Sequence, residues 1–168
     1  MMGEYVTNSL LGALEIVVHT DPGLVRGQNE DSVFGDASQG LAILADGMGG
    51  YNAGEVASSM ATTLLARQLA EAFKVTAAYE HDIETGQPFA RRSLGEQIAS
   101  VNAAIYVASA SQSQLGGMGT TLVATVFCDD KVIVAHVGDS RLYRLRGEEF
   151  VALTHDHSVL QEQIDRGL

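Results

Sequence analysis

The chain has little of what disulfide-rich, nucleic-acid-binding and membrane-spanning proteins need. Its 168 residues include one cysteine, two prolines and no tryptophan. A single cysteine, Cys128, excludes a disulfide framework and a multi-cysteine zinc site. Ten basic residues against 21 acidic ones give a net charge of −11. This balance argues against nucleic acid as a partner, because phosphate backbones are bound by basic surfaces. No apolar run approaches the roughly 20 residues of a membrane span.

The composition nevertheless supports one folded domain. Apolar residues make up 46% of the chain, which excludes a disordered acidic tail. The first residues carry no positive charge ahead of their apolar stretch, so no secretory signal is predicted and a cytoplasmic location is expected. We interpret residues 1–13 as a leader that can be disordered, and residues 14–168 as the domain.

Hydrophobic periodicity predicts strands, then helices, then strands again. Strands are predicted at 14–19, from about residue 34, and at 41–45, 121–127, 131–137 and 141–145. Helices are predicted at 53–73, at about 94–108 and at 158–166, with a long surface loop over 75–92. Asn52 and Glu55 resemble a capping box at the start of the first helix. This order indicates an α+β domain with a largely antiparallel sheet.

Acidic residues gather where apolar strands end. Asp46 directly follows the strand LAILA and precedes three nearby glycines, and Asp139 follows the strand KVIVAHV in a Gly-Asp-Ser turn. Glu30 and Asp31 form a further acidic pair, with Arg26 four residues before Glu30. A single acidic turn indicates no function, because aspartate is common in turns. Three acidic turns, each at the end of a strand, favour a cation site. Carboxylates without a cysteine or histidine cluster suit hard cations such as Mg²⁺ or Mn²⁺.

Five motifs in sequence carry a family resemblance. They are RGQNEDSV (26–33), ADGMGGYNAGEVAS (45–58), GMGTTLVA (117–124), VGDSRLY (137–143) and LTHDHS (153–158). In this order they resemble the motifs of the metal-dependent protein phosphatases, the PPM or type 2C serine/threonine family. The residues within the motifs are similar to those of its bacterial members. The resemblance extends from about residue 14 to the last residue.

The resemblance implies a set of metal ligands. It implies that Asp46 bridges two metal ions and that the carbonyl of Gly47 binds one of them. Glu30 and Asp31 match the acidic shell, which acts partly through water. Asp139 matches an aspartate of a third, weaker metal site. The cofactors implied are Mn²⁺ or Mg²⁺, two or three ions in the complete family domain.

The resemblance also implies a fold and a reaction. The fold is a two-sheet antiparallel β-sandwich flanked by helices, with the metals between the sheets at one end. The reaction is hydrolysis of phosphoserine and phosphothreonine in phosphoproteins by a metal-activated water. Arg26 matches the arginine that binds the substrate phosphate. The resemblance thus implies that Arg26 and Asp46 are the catalytic residues. The implied partners are phosphoprotein substrates, those of a serine/threonine kinase, with no nucleic acid and no membrane span.

The chain departs from the family pattern at its end. The family domain continues past LTHDHSVLQEQIDRGL into a mobile flap and into Asp-Gly-Leu and Asp-Asn segments, neither of which occurs in this sequence. The resemblance therefore covers the N-terminal majority of the domain, up to the start of the flap. An alternative function is a non-catalytic phosphatase-like domain that binds metal or phosphoprotein and regulates a partner.

Other interpretations rest on single features. Gly47-x-Gly49 between a strand and a helix is similar to a dinucleotide fingerprint, although Asn52 stands at the third glycine position. His155 and His157 would share one face of a strand, as some zinc ligands do. Many relatives have a histidine in the loop after the metal-bridging aspartate, where this chain has Met48 and Tyr51, so the general acid is unassigned.

Overall fold

The computed structural model describes residues 12–50, 53–83 and 85–167. Its strands are β1 (Asp31–Asp36), β2 (Leu41–Met48), β3 (Gly119–Thr120), β4 (Leu122–Cys128), β5 (Lys131–Val137), β6 (Tyr143–Arg146) and β7 (Glu149–Ala152). Its helices are α1 (Ala53–Val75), α2 (Phe89–Ser111) and α3 (Val159–Asp165), with a 3₁₀ turn at Ser113–Leu115. Most of the leader expected at 1–13, together with Tyr51 and Asn52, lies outside the described residues.

β2 and β4 lie in the middle of an antiparallel sheet. The strand order is β1-β2-β4-β5, and the short β3 pairs with the last residues of β2. β2 alternates buried Leu41, Ile43 and Ala45 with less buried neighbours, which is the period of a strand with one covered face. β4 is buried along almost its whole length between β2 and β5. The end of β2 is paired with β1 on one side and β3 on the other. A functional side chain at this end is therefore held in a defined position.

Helices α1 and α2 form a layer on this sheet. α1 contacts β1 and β2 as well as α2. Its residues Ala57, Ala61, Leu65 and Leu69 repeat every four positions and are almost fully buried, as expected of the inner face of a helix. Cys128 belongs to the same core as a free thiol.

A second, two-stranded antiparallel sheet is formed by β6 and β7. Tyr143 stacks on Phe150 across this pair, with ring centroids 5.0 Å apart and an interplanar angle of 8°. Two antiparallel sheets and three helices in the described residues confirm the predicted α+β class. No helix among the described residues is long and apolar enough to cross a membrane.

The strand predicted at 14–19 is wrong. Residues 15–20 adopt no strand conformation, although the side chains of Ile16 and Val18 lie beside Gly35 of β1. A Cβ on Gly35 would lie 2.6 Å from Cγ2 of Ile16, so the glycine permits this close approach. A strand requires a ladder of backbone hydrogen bonds to a partner, and alternation of apolar residues does not supply one.

Helix α2 begins earlier than its periodicity indicates. The first periodic apolar residue is Leu94, but the helix starts at Phe89. Phe89 packs edge-on against Phe73 of α1, with ring centroids 6.2 Å apart and an interplanar angle of 72°. Pro88, which precedes the first helical residue, has a φ of −57° that suits a helix start. A tertiary aromatic contact thus extends the helix beyond its amphipathic part.

We expect Gly95→Ala to stabilise the chain. Gly95 lies inside α2, and a Cβ there would meet no atom of the residues that the structure describes within 4 Å. Glycine in a helix interior costs about 0.5–1 kcal/mol relative to alanine, which corresponds to a rise of about 1–4 °C in Tm for a chain of this size. The change in Tm is measured by thermal unfolding followed by circular dichroism. Gly86→Ala is the control, since Gly86 is equally open but has a φ of +66° and should lower Tm.

Candidate active site

An open cleft of about 330 Å³ lies where β2 ends and α1 begins. It is lined by Arg26, Glu30, Asp46, Gly47, Met48, Gly49, Thr121 and Asp139. The structure therefore brings together five of the six site residues that the sequence predicts. The sixth, Asp31, is directly beside the cleft, opposite Asp46.

Asp31 and Asp46 face each other across two antiparallel strands. The register of β1 and β2 makes them direct Cα partners. Like charges at directly opposite positions destabilise a strand pair, so this arrangement carries a cost in the absence of a counter-charge. The guanidinium of Arg26, which lines the same cleft, favours ionisation of Asp46.

The pKa of Asp46 is raised above its usual value. Burial is the main cause, and the charge of Asp31 and a hydrogen bond with it add to the effect. The charge of Asp139 raises the pKa further, while that of Arg26 lowers it. Ionised Asp46 is thus destabilised by neighbouring carboxylates, and a bound cation would offset that repulsion.

Two glycines allow α1 to contact the end of β2. A Cβ on Gly47 would overlap the carbonyl oxygen of Gly54 and lie 2.6 Å from the backbone oxygen of Glu30. A Cβ on Gly54 would lie 2.8 Å from Oε1 of Glu30. The Gly47 N–H donates to the Glu30 carbonyl at 3.0 Å, and the Ser58 hydroxyl donates to the same oxygen. These contacts fix Glu30 beside the first turn of α1, where the helix dipole favours negative charge.

The backbone of Asp46 is held from the side of β4. The Asp46 N–H donates to Oγ1 of Thr121 at 3.0 Å. The Asp46 carbonyl accepts from the Thr121 N–H at 2.9 Å and from the Thr120 hydroxyl at 3.0 Å. The sequence pattern alone indicates no role for either threonine. The available signal was their position in GMGTTLVA, directly ahead of β4.

The turn that carries Asp139 is tied to the motif LTHDHS. Arg141 makes a bidentate pair with Asp156, at 2.8 Å from Nε and 2.6 Å from Nη2. This pairing lowers the pKa of Asp156. The His157 N–H donates to the Gly138 carbonyl at 2.9 Å. The turn that carries Asp139 is thereby held at the cleft by a segment that follows it 14–19 residues later in the chain.

The histidines do not form a zinc site. His155 lies 2.7 Å from a carboxylate oxygen of Asp165, and its segment is not a strand, so His155 and His157 do not share a strand face. His157 packs on His136 with ring centroids 4.5 Å apart, and Nε2 of His136 lies 2.8 Å from the His155 carbonyl. His136 is therefore a half-buried histidine with a hydrogen-bond partner.

The donor set of the cleft suits a hard divalent cation. Three acidic side chains line it, those of Glu30, Asp46 and Asp139, and carboxylate oxygens are ligands that Mg²⁺ and Mn²⁺ prefer. Within the described ranges, no three histidine, cysteine, aspartate or glutamate side chains lie close enough together to form a ligand group by themselves. The chemistry of the residues fits such an ion, and further oxygen donors would complete its coordination.

The nucleotide-binding interpretation fails on topology. A dinucleotide fingerprint works at the turn of a parallel βαβ unit, where the glycines bring a pyrophosphate to the helix. The strand before Gly47 and Gly49 has antiparallel partners on both sides. These glycines instead permit contacts of β2 with the first residues of α1.

Comparison with known proteins agrees with the geometry. The profile of the family described as Protein phosphatase 2C matches residues 25–163. The chain belongs to the protein phosphatase 2C family. This phosphatase 2C chain is 42% identical over 153 residues to the serine/threonine phosphatase stp of Listeria welshimeri, a match that covers 88% of the chain and 56% of that protein. The chain thus spans little more than half the length of this relative.

Solved structures of the family share the fold of this phosphatase 2C chain. The serine/threonine phosphatase PstP/Ppp of Mycobacterium tuberculosis superposes with a TM-score of 0.73 and 37% identity, covering 89% of this chain and 57% of that one. The catalytic domain of PstP in complex with two manganese ions gives the same TM-score and identity, over 89% and 58%. The match to PPM phosphatase domains confirms the family and the fold predicted from the motifs.

Proposed function

We propose that the chain is a phosphoprotein phosphatase that hydrolyses phosphoserine and phosphothreonine and depends on Mn²⁺ or Mg²⁺. The observation that carries the proposal is the cleft, in which Asp46 faces Asp31 and lies with Arg26, Glu30 and Asp139. The names of the relatives, serine/threonine phosphatases, and the manganese ions bound to PstP support it.

The residues of the cleft divide into cation ligands and a phosphate ligand. Asp46, the Gly47 carbonyl, Glu30, Asp31 and Asp139 would hold the ions, directly or through water. When bound, such ions supply Lewis acidity and an activated water for attack at phosphorus. The carboxylates' part is to fix the positions of these ions at the rigid end of β2, and burial strengthens each charge interaction there.

Arg26 is assigned to the substrate phosphate. It is the basic side chain in the lining of an otherwise acidic cleft, and its planar guanidinium can donate two parallel hydrogen bonds to phosphate oxygens. Its charge also reduces repulsion between the acidic wall and a phosphate dianion. Because it is exposed, it can reach a phosphate presented on a protein surface.

We expect Arg26→Ala to weaken substrate binding more than turnover. A hydrogen bond to a charged group contributes about 1.5–3 kcal/mol, so the KM for an aryl phosphate should rise about tenfold or more, with a smaller fall in kcat. Steady-state kinetics at saturating Mn²⁺ measure both constants. Arg91→Ala, which removes an exposed arginine outside the cleft, is the control and should change neither. An unchanged KM in Arg26→Ala contradicts the phosphate role.

The test of the function is hydrolysis of p-nitrophenyl phosphate and of a phosphothreonine peptide by the 168-residue chain. The assay is run with Mn²⁺, with Mg²⁺ and with a chelator. Turnover that requires the metal and disappears with the chelator supports the proposal. Turnover that is insensitive to the chelator contradicts the assignment of the acidic residues to cations.

A second candidate is a non-catalytic domain that binds metal or phosphoprotein and regulates a partner. It is favoured by the chain's coverage of only 56% of the stp protein and by the lack of a compact three-ligand group in the described residues. Mn²⁺ binding without turnover in a folded sample identifies this candidate.

The proposed reaction leads to expectations about the substrates and the location of the chain. The substrates are expected to be phosphoproteins made by a serine/threonine kinase, and the location is expected to be the cytoplasm. The names of the bacterial relatives, serine/threonine phosphatases, support the expectation of phosphoprotein substrates. The substrates bind at an acidic surface, so basic residues flanking the phosphorylated side chain should favour binding.

A further inference from the structure

We propose that Thr121 is a positioning residue that holds Asp46 and Asp139 at a fixed separation for cation binding. The inference rests on the proposed function, because it concerns the same cleft. Thr121 is 4% exposed and lies between β3 and β4, in the lining of the cleft. It contacts both of the segments that carry these two aspartates.

The first contact is with the end of β2. The Asp46 N–H donates to Oγ1 of Thr121 at 3.0 Å, and the Thr121 N–H donates to the Asp46 carbonyl at 2.9 Å. One residue therefore satisfies both backbone groups of Asp46. The backbone of Asp46, from which the side chain projects, can shift only if this reciprocal pair is broken.

The second contact is with the turn that carries Asp139. Oγ1 of Thr121 lies 2.7 Å from Oγ of Ser140, and either hydroxyl can donate. A Cβ on Gly138 would lie 2.8 Å from Cγ2 of Thr121, so the turn rests against the threonine methyl group. Gly138 has a φ of +97°, a conformation that other residues rarely adopt. The close approach of the turn to Thr121 therefore depends on a glycine at position 138.

A single hydroxyl therefore connects the two segments. A threonine hydroxyl has one donor and two acceptor positions, enough for the Asp46 N–H and the Ser140 hydroxyl together. Two carboxylates in one cleft repel each other and would separate if the backbone allowed it. Holding them in place before a cation binds reduces the cost of ordering the site, which increases affinity.

The experiment compares two substitutions with a matched control. Thr121→Val keeps the shape and the methyl group but removes the hydroxyl, whereas Thr121→Ser keeps the hydroxyl. Thr125→Val is the control, because Thr125 is 6% exposed on β4 and donates its hydroxyl to the Ala42 carbonyl of β2, outside the cleft. Hydrogen exchange of the Asp46 amide is measured without metal, and Mn²⁺ binding is measured by calorimetry.

We expect Thr121→Val to raise exchange of the Asp46 amide at least tenfold and to raise the Kd for Mn²⁺ about tenfold. In Thr121→Ser and Thr125→Val, the exchange rate of the Asp46 amide and the Kd for Mn²⁺ should both stay within about twofold of the values for the parent chain. If Thr121→Val does not fold, Ser140→Ala removes only the hydroxyl on the turn, and it should weaken Mn²⁺ binding several-fold. A loss of Mn²⁺ affinity in Thr125→Val as large as that in Thr121→Val overturns the inference, because the effect is then one of general stability.

The remaining outcomes separate this inference from the function. If the parent chain binds Mn²⁺ and both Thr121→Val and Ser140→Ala bind it equally well, the positioning role is wrong and the proposed function stands. If the parent chain binds no Mn²⁺, the proposed function fails, and the role assigned to Thr121 fails with it. Exchange at Asp46 that is unchanged in Thr121→Val also overturns the inference, because the tie to Asp46 is then absent.

Discussion

Asp46→Asn is expected to abolish the stabilisation of the chain by Mn²⁺. A ligand present at 100 times its Kd stabilises the folded state by about 2.7 kcal/mol, which corresponds to a rise of about 5–10 °C in Tm for a chain of this size. Asparagine keeps the shape of the side chain but removes the charge opposite Asp31. The shift on adding Mn²⁺ should fall below about 1 °C, and metal-dependent turnover should be lost. Differential scanning calorimetry with and without Mn²⁺ measures the shift.

The same variant should be more stable than the parent chain when no metal is present. The raised pKa of Asp46 means that folding favours its protonated form, so this contribution is full at low pH and is lost as the pH rises through the folded pKa. At neutral pH the ionised carboxylate opposes folding. Like charges at opposite strand positions cost about 0.2–1 kcal/mol, so Tm should rise by up to about 3 °C without metal.

The matched control for Asp46→Asn is Asp130→Asn. Asp130 is exposed in the turn between β4 and β5, where it lies 3.2 Å from Lys131. This variant removes the same charge from the chain but not from the cleft. It should leave both the metal-free Tm and the Mn²⁺ shift unchanged. An Mn²⁺ shift that survives in Asp46→Asn would show that the cation binds elsewhere.

The site was predictable because its main residues are local to strand ends. The run LAILA ends at an aspartate and a glycine, and the helix that follows begins where predicted, at Ala53. Chain order and the end of a strand are properties of a short segment, so a sequence pattern can carry them. The acidic turns indicated a cation site with Glu30 and Asp139, but the individual roles of these residues and of Arg26 came only through family resemblance, because they are distant from Asp46 in the chain.

The register of the strands was beyond the sequence pattern. The pairing of Asp31 with Asp46 depends on the connection between β1 and β2, which includes an Asx-type turn in which the Ser38 N–H donates to Asp36 at 2.9 Å. A slip of one residue would move Asp31 to the other face of its strand. Alternation of apolar residues over so short a strand does not fix that choice.

The role of Thr121 was missed for a related reason. Its partner Asp46 is 75 residues away and its partner Ser140 is 19 residues away. A buried threonine before an apolar strand is typical of the strand itself, so no local feature separates Thr121 from Thr125. Only the fold shows that one hydroxyl reaches the cleft and the other does not.

The second large effect is expected from Gly47→Ala. A Cβ at this position would overlap the Gly54 carbonyl oxygen and crowd that of Glu30, and both are backbone atoms that cannot rotate away. Overpacking of this kind costs about 1–3 kcal/mol or more, so Tm should fall by about 2–12 °C or more. The α1 end of the contact must then move away from β2. Because Glu30 lies at that contact, Mn²⁺ affinity should fall along with stability.

The control that isolates this steric cause is Gly50→Ala. Gly50 follows the end of β2, three residues after Gly47, and a Cβ there would meet no atom of the described residues within 4 Å. Its substitution should change Tm by less than about 1 °C, since neither the contact of β2 with α1 nor the backbone conformation opposes it. Equal losses in the two variants would mean that the loop, and not the contact at Gly47, determines stability. A loss confined to Gly47→Ala would show that close backbone contact at the end of β2 positions the acidic cleft.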